Sequence, residues 1–131
     1  MRVGHDGPMS DRQRVFSGSA YESFVGYARA VRVGSSVWVS GTTASGADAA
    51  AQARGALRHI ADALGELGAG LPDVTRTRVY LTDSTDFDAV ARAHAEAFAD
   101  IRPATTLVVV HALAAPELRV EIEADAVING G

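Results

Sequence analysis

Cysteine and lysine are both missing from the 131 residues of this chain. Without cysteine there is no disulfide framework, no thiolate nucleophile and no thiolate-held zinc or iron–sulfur centre. Without lysine there is no Schiff-base amine and no phosphate-loop lysine; all 12 basic residues are arginine. Aromatic residues make up only 6%, and 12 basic residues stand against 16 acidic ones, a formal net charge of -4. A surface that holds nucleic acid by its phosphates has the opposite balance. No stretch approaches the roughly 18 apolar residues that cross a bilayer, and the start, Met1 to Pro8, has no apolar centre of the kind a signal peptide carries. The expectation is a soluble, cytoplasmic protein with no membrane partner.

What is present suits one compact core. The chain is 47% hydrophobic, and a domain of 131 residues buries roughly two-thirds of its unfolded surface. Residues 1–14 mix Gly, Pro, Asp and Arg without a period and read as a flexible N-terminal arm, which leaves 15–131 as a single domain. Ala28 to Val33 alternates, Gly34-Ser35-Ser36 turns, and Val37-Trp38-Val39-Ser40 is rich in β-branched and aromatic residues; this is a hairpin. From Asp48 the period becomes helical, with Ala53, Leu57, Ile60, Leu64 and Leu67 on one stripe, until Gly68-Ala69-Gly70 and Pro72 end it. Val74 to Leu81 is a strand. Thr85 and Asp88 suggest a capping box for a second helix that carries Phe87, Val90, Ala91, His94, Ala97, Phe98 and Ile101. After Arg102-Pro103, a strand over 105–110 and a last strand over 119–128 complete the order ββαβαββ, with room for one leading strand. Two helices cover one face of such a sheet, and self-association is the natural cover for the other.

The last strand sorts by its period of two. Val120, Ile122, Ala124, Ala126 and Ile128 share one face, and Glu121, Glu123 and Asp125 the other. Three adjacent carboxylates are either a solvated face or, where a subunit or cleft abuts them, groups able to orient water or accept a proton. Tyr27 and Arg29 point the same way and suit a small carboxylate or carbonyl ligand; a structural ion pair is the plainer reading. Arg76 and Arg78 read as a solvated or salt-bridged pair. The histidines (His5, His59, His94, His111) lack ligand spacing, so no metal site and no cofactor is expected. No Gly-x-Ser-x-Gly elbow and no dinucleotide fingerprint occurs.

A more specific signal lies in three separated segments. They are Gly26-Tyr27-x-Arg29-Ala30-Val31-x-Val33-Gly34 with Val37-Trp38-Val39-Ser40-Gly41, then Arg102-Pro103-Ala104-Thr105-Thr106, then Val120-Glu121-Ile122-Glu123-Ala124-Asp125-Ala126. Together, over residues 15 to 128, these resemble the RidA (YjgF, reactive intermediate deaminase) family. The resemblance implies an α+β, chorismate-mutase-like fold, with a mixed sheet, two helices on one face, and assembly as a homotrimer with small-molecule clefts between subunits. It also implies hydrolysis of imines and enamines, such as 2-aminoacrylate, to a carbonyl compound and ammonia. Carried over residue by residue, Tyr27 closes the cleft, Glu121 positions water, and Ser40 is the Ser before Gly. The chain departs from the deaminase pattern at Thr105, where that pattern has a carboxylate-binding Arg. A hydroxyl does not replace a bidentate guanidinium, so 2-aminoacrylate is not the expected substrate. Either Arg29 supplies the charge from another strand, or the ligand is neutral and Thr105 or Thr106 hydrogen-bonds it.

Three function classes follow. The first is a divergent imine or enamine deaminase with catalytic Glu121 and Tyr27 and substrate-binding Arg29, Ser40, Thr105 and Thr106. The second is a non-catalytic small-molecule binder or sensor. The third is the endoribonuclease and translation inhibitor of the family's older label, which the charge balance and scarce aromatics oppose.

Overall fold

The computed structural model describes residues 2–5 and 12–129, with side chains described from Arg12 onward. In chain order the strands are β1 (Arg2–His5), β2 (Arg12–Phe16), β3 (Ala30–Val33), β4 (Ser36–Thr42), β5 (Val74–Leu81), β6 (Ala104–Val109) and β7 (Val120–Val127); the helices are α1 (Ala49–Glu66) and α2 (Phe87–Phe98). These strands form one mixed sheet, in the order β1-β2-β3-β4-β7-β5-β6. Among the described residues only the β5–β6 pair is parallel, because α2 is the crossover between them.

The N-terminal stretch expected as a loose arm contributes strands. Arg12–Phe16 pairs antiparallel with β3, and Arg2–His5 pairs with β2. The reason is visible at Val15, which is fully buried opposite Ala30 and extends the core by one strand. The remainder of that stretch, 6–11, lies outside the described residues.

Period two decides which face each strand buries. Val37 and Val39 of β4, Val79 and Leu81 of β5, and Val120, Ile122, Ala124 and Ala126 of β7 face the helices and are at most 4% exposed. Against them pack Ala53, Leu57, Ile60 and Leu64 of α1 and Val90, Ala93 and Phe98 of α2. Ile60 and Leu64 are fully buried, each worth about 1.5–3 kcal/mol by transfer. Asp48 caps α1 by accepting from the Ala51 amide at 2.8 Å. The capping box expected from Thr85 does not form: the Thr85 amide and hydroxyl both donate to Asp83, which caps the short 3₁₀ turn ahead of α2. The nearer carboxylate wins because an Asx turn closes a smaller ring.

One buried polar side chain joins these layers. Gln52 of α1 donates to the carbonyls of Gly46 and Glu117 and accepts from the Arg119 amide at 2.8 Å. It thereby fixes the start of β7 against the loop that leaves β4.

Candidate functional site

β4 does not run evenly beside β7. Val39 faces Ala124 while Thr42 faces Ile122, so β4 carries one extra residue there, a β-bulge at Ser40-Gly41. The bulge brings the Gly41 backbone under Glu121. A Cβ at Gly41 would overlap Oε2 of Glu121 and lie 2.9 Å from its carboxyl carbon, so only glycine leaves the carboxylate this seat. Burial pushes the Glu121 carboxyl up from its ordinary range; the nearby Arg29 charge opposes this and Glu123 adds to it.

Arg29 precedes β3 and meets the same bulge. Its Nη2 donates to the Gly41 carbonyl at 2.5 Å, and its buried Nε has no hydrogen-bond partner. A buried, unpaired guanidinium N–H is costly unless a ligand or solvent meets it. The guanidinium also stands 5.8 Å from the centre of the Tyr27 ring. Ser40 ties the hairpin together: its hydroxyl donates to the Ala28 carbonyl at 2.7 Å and its amide to the Arg29 carbonyl at 3.0 Å. Tyr27, Arg29, Ser40 and Glu121 therefore converge as a group.

Two cavities flank Arg29 and Tyr27. A cavity of about 220 Å³ is lined by Ser17, Arg29, Thr42, Thr43 and His59, a polar lining that sequence reading did not assemble. A wider one of about 420 Å³ includes Phe16, Ser19, Glu22 and Tyr27. Glu22 holds the loop between them. It is 5% exposed, and it accepts from the Ser17 hydroxyl at 2.5 Å and from the amides of Ser17 and Gly18. Burial alone would raise its carboxyl, but these donors, with the charge of Arg29, hold it below the usual range.

Thr105 and Thr106 do not join this group within one subunit. β6 lies beyond β5 at the far edge of the sheet from β4. Thr105 pairs in register with Thr77 and faces the helices, and its hydroxyl is 2.8 Å from that of Thr77; Thr106 pairs with Arg78 and faces the other way. On that helix-free face the acidic stripe is partly offset: Arg78 reaches Glu123 at 3.3 Å and Asp125 at 3.4 Å, and the Tyr80 hydroxyl donates to Glu123 at 2.9 Å. Glu121 is the member of the stripe left to Arg29 and Gly41. Trp38, Val108 and Val127 stand on this face, 47%, 41% and 46% exposed.

Among the described residues no three His, Asp or Glu side chains gather closely enough to hold a metal ion, and no helix is long and apolar enough to cross a membrane.

Comparison with known proteins gives the same outline. The family model for endoribonuclease L-PSP matches residues 17–128. The crystal structure of Rv2704 from Mycobacterium tuberculosis, a member of the YjgF/YER057c/UK114 family, is 58% identical and superposes with a TM-score of 0.89 over 90% of this chain and 100% of that one. An uncharacterised protein of Streptomyces coelicolor is 42% identical over 121 residues, 87% of this chain and 90% of that protein. The 3-aminoacrylate deaminase RutC of Acinetobacter baylyi is 40% identical over 75 residues, 57% of this chain and 59% of that protein. With the bulged β4, the β7 carboxylates and the two-helix cover already in place, these matches identify the chain as a member of the RidA/YjgF family, also called the endoribonuclease L-PSP family.

Proposed function

We propose that this chain forms a cytoplasmic homotrimer that hydrolyses small imines or enamines to a carbonyl compound and ammonia, in clefts that a neighbouring subunit completes. The observation that carries this reading is the seat of Glu121: a half-buried carboxyl of raised pKa, resting on Gly41 beside a guanidinium with a free, buried N–H. The deaminase RutC among the relatives supports it. So do the apolar Trp38, Val108 and Val127 on the uncovered sheet face, which suit a subunit contact.

In this scheme the imine enters as an iminium, already electrophilic at carbon. Arg29 binds the substrate carboxylate through Nε, the anchor that Thr105 does not provide. Glu121 takes a proton from water as the water oxygen bonds to the iminium carbon. It returns that proton to nitrogen and then takes the carbinol hydroxyl proton as the C–N bond breaks, so that ammonia leaves and a 2-oxo acid remains. A carboxyl shifted upward toward neutrality serves both steps better than an ordinary one. Tyr27 packs on Arg29 and closes the cleft.

Calorimetric titration with 2-oxobutyrate, a stable product, tests the anchor. Arg29→Ala is expected to weaken binding by about a hundredfold, as loss of a charge-assisted pair does. Unchanged affinity would remove Arg29 from the scheme.

Thr105 favours a second reading, a binder without turnover. Its hydroxyl is engaged with Thr77 and the Pro103 carbonyl, where the deaminase pattern has a cation. A ligand that survives purification and is identified by mass spectrometry, with no imine turned over, would support it.

A further inference from the structure

Arg29 has a donor to spare. Its Nη2 is spent on the Gly41 carbonyl, its Nε is buried without a partner, and it makes no ion pair among the described residues. The two carboxyls that feel its charge do not take that donor. Glu22 is already met by the hydroxyl and amide of Ser17 and the amide of Gly18, and Glu121 rests on Gly41.

The cavity of about 220 Å³ that Arg29 lines draws on three further parts of the chain. Ser17 follows β2, Thr42 ends β4 with Thr43 just after it, and His59 comes from α1. Every lining residue is polar, Arg29 brings the only permanent charge among them, and no carboxyl lines the space. Two of the hydroxyls are committed: Ser17 donates to Glu22, and Thr42 donates to the Ser40 carbonyl at 2.7 Å. Thr43 and His59 have no hydrogen-bond partner among the described residues. The unspent donors are therefore Arg29, half-buried, and Thr43 with the exposed His59 toward solvent.

Such walls are a poor seat for an alkyl group, which displaces water from polar side chains and returns no hydrogen bond. A carboxylate returns them, and with a charge. Position ties this space to the reaction. Thr42 and Thr43 directly follow Gly41, the seat of Glu121, and Arg29 holds the Gly41 carbonyl.

We propose that this cavity receives the side chain of the substrate, and that the preferred substrates are imines of short acidic amino acids, whose second carboxylate is held by Thr43 and His59. The inference rests on Arg29 as the anchor of the first carboxylate in the hydrolysis proposed above.

The test is calorimetric titration of the full chain with 2-oxobutyrate and 2-oxoglutarate, stable products that share the first carboxylate and differ in the tail. The parent is expected to bind 2-oxoglutarate about tenfold more tightly. That ratio falls toward one in His59→Ala and in Thr43→Val, neither of which touches the buried core. Arg29→Ala weakens both keto acids. Binding of 2-oxobutyrate that depends on Arg29, with no preference for 2-oxoglutarate, would overturn the acidic substrate class and leave the anchor standing. So would a preference that survives in both His59→Ala and Thr43→Val. Binding of neither keto acid, or binding indifferent to Arg29→Ala, would overturn the anchor and this inference with it.

Discussion

The carboxylate of Glu121 rests on the backbone of Gly41, one strand away, in a space that any side chain at position 41 would fill. The contact exists because β4 bulges at this point and β7 does not. It joins three things that are far apart in sequence: the Ser-Gly pair of the hairpin, the first acid of the last strand, and Arg29, which donates to the Gly41 carbonyl.

Gly41→Ala is therefore the sharpest local probe. The new methyl displaces the Glu121 carboxylate, and because the crowded atoms are the far end of a flexible side chain the cost in stability is small. Thermal melting is expected to change little, while ligand binding is lost. A variant that keeps parental binding would mean that the carboxylate does not need this seat.

The raised carboxyl of Glu121 makes a prediction of definite sign. The folded chain holds this proton more tightly than the unfolded chain, whose value lies near 4.5. As pH rises from there through the folded value, the proton is lost and stability falls. Glu121→Gln removes this penalty, so it should be more stable than the parent at neutral pH while losing turnover. Denaturant midpoints measured at acid and neutral pH check the first part; a variant that loses stability at neutral pH contradicts it.

His94 has the opposite sign of protonation. Burial lowers its imidazole below 6.5, so the unfolded chain takes up this proton first as pH falls. Stability then declines from the unfolded value downward until the folded value is reached. His94→Gln should flatten the acid side of the stability curve as pH falls below about 6.5. An unaltered slope would place that titration elsewhere.

The Thr77 hydroxyl lies within hydrogen-bond distance of both His94 Nε2 and the Thr105 hydroxyl, 2.8 Å from each. Thr77→Val keeps the shape and removes the hydroxyl, leaving the His94 Nε2 without its partner at a cost of about 1–3 kcal/mol. Urea unfolding should register it, and a neutral result would show that solvent replaces the bond.

Much of this architecture was legible from periodicity. The stripe from Ala53 to Leu67, the alternation from Val120 to Ala126 and the Gly34-Ser35-Ser36 turn correspond directly to α1, β7 and the β3–β4 hairpin. Tyr27 and Arg29 were paired by their two-residue spacing, and only the family resemblance joined Ser40 and Glu121 to Tyr27. What sequence did not reveal has specific physical causes. The bulge at Ser40-Gly41 is a property of register, which depends on the partner strand. The β2 strand rests on a single buried valine, Val15, inside a polar stretch. Ser40 has the chemistry of a ligand group, yet its hydroxyl is engaged by the Ala28 carbonyl. The link between His94, Thr77 and Thr105 joins three elements, and its one signal was a lone histidine on the apolar stripe of α2.

The central claim is imine hydrolysis at Glu121 with Arg29 as anchor. The most direct measurement generates imines in place with an amino-acid oxidase and 2-aminoacrylate with a pyridoxal-phosphate dehydratase, traps the survivors with semicarbazide, and follows the trapping rate with and without this protein. Alanine and leucine imines and 2-aminoacrylate form the panel. The account predicts that trapping slows with the parent for imines bearing a carboxylate, and that Glu121→Gln and Arg29→Ala each restore the uncatalysed rate. Trapping unaffected by the parent across the panel, or slowed equally by Glu121→Gln, would contradict it.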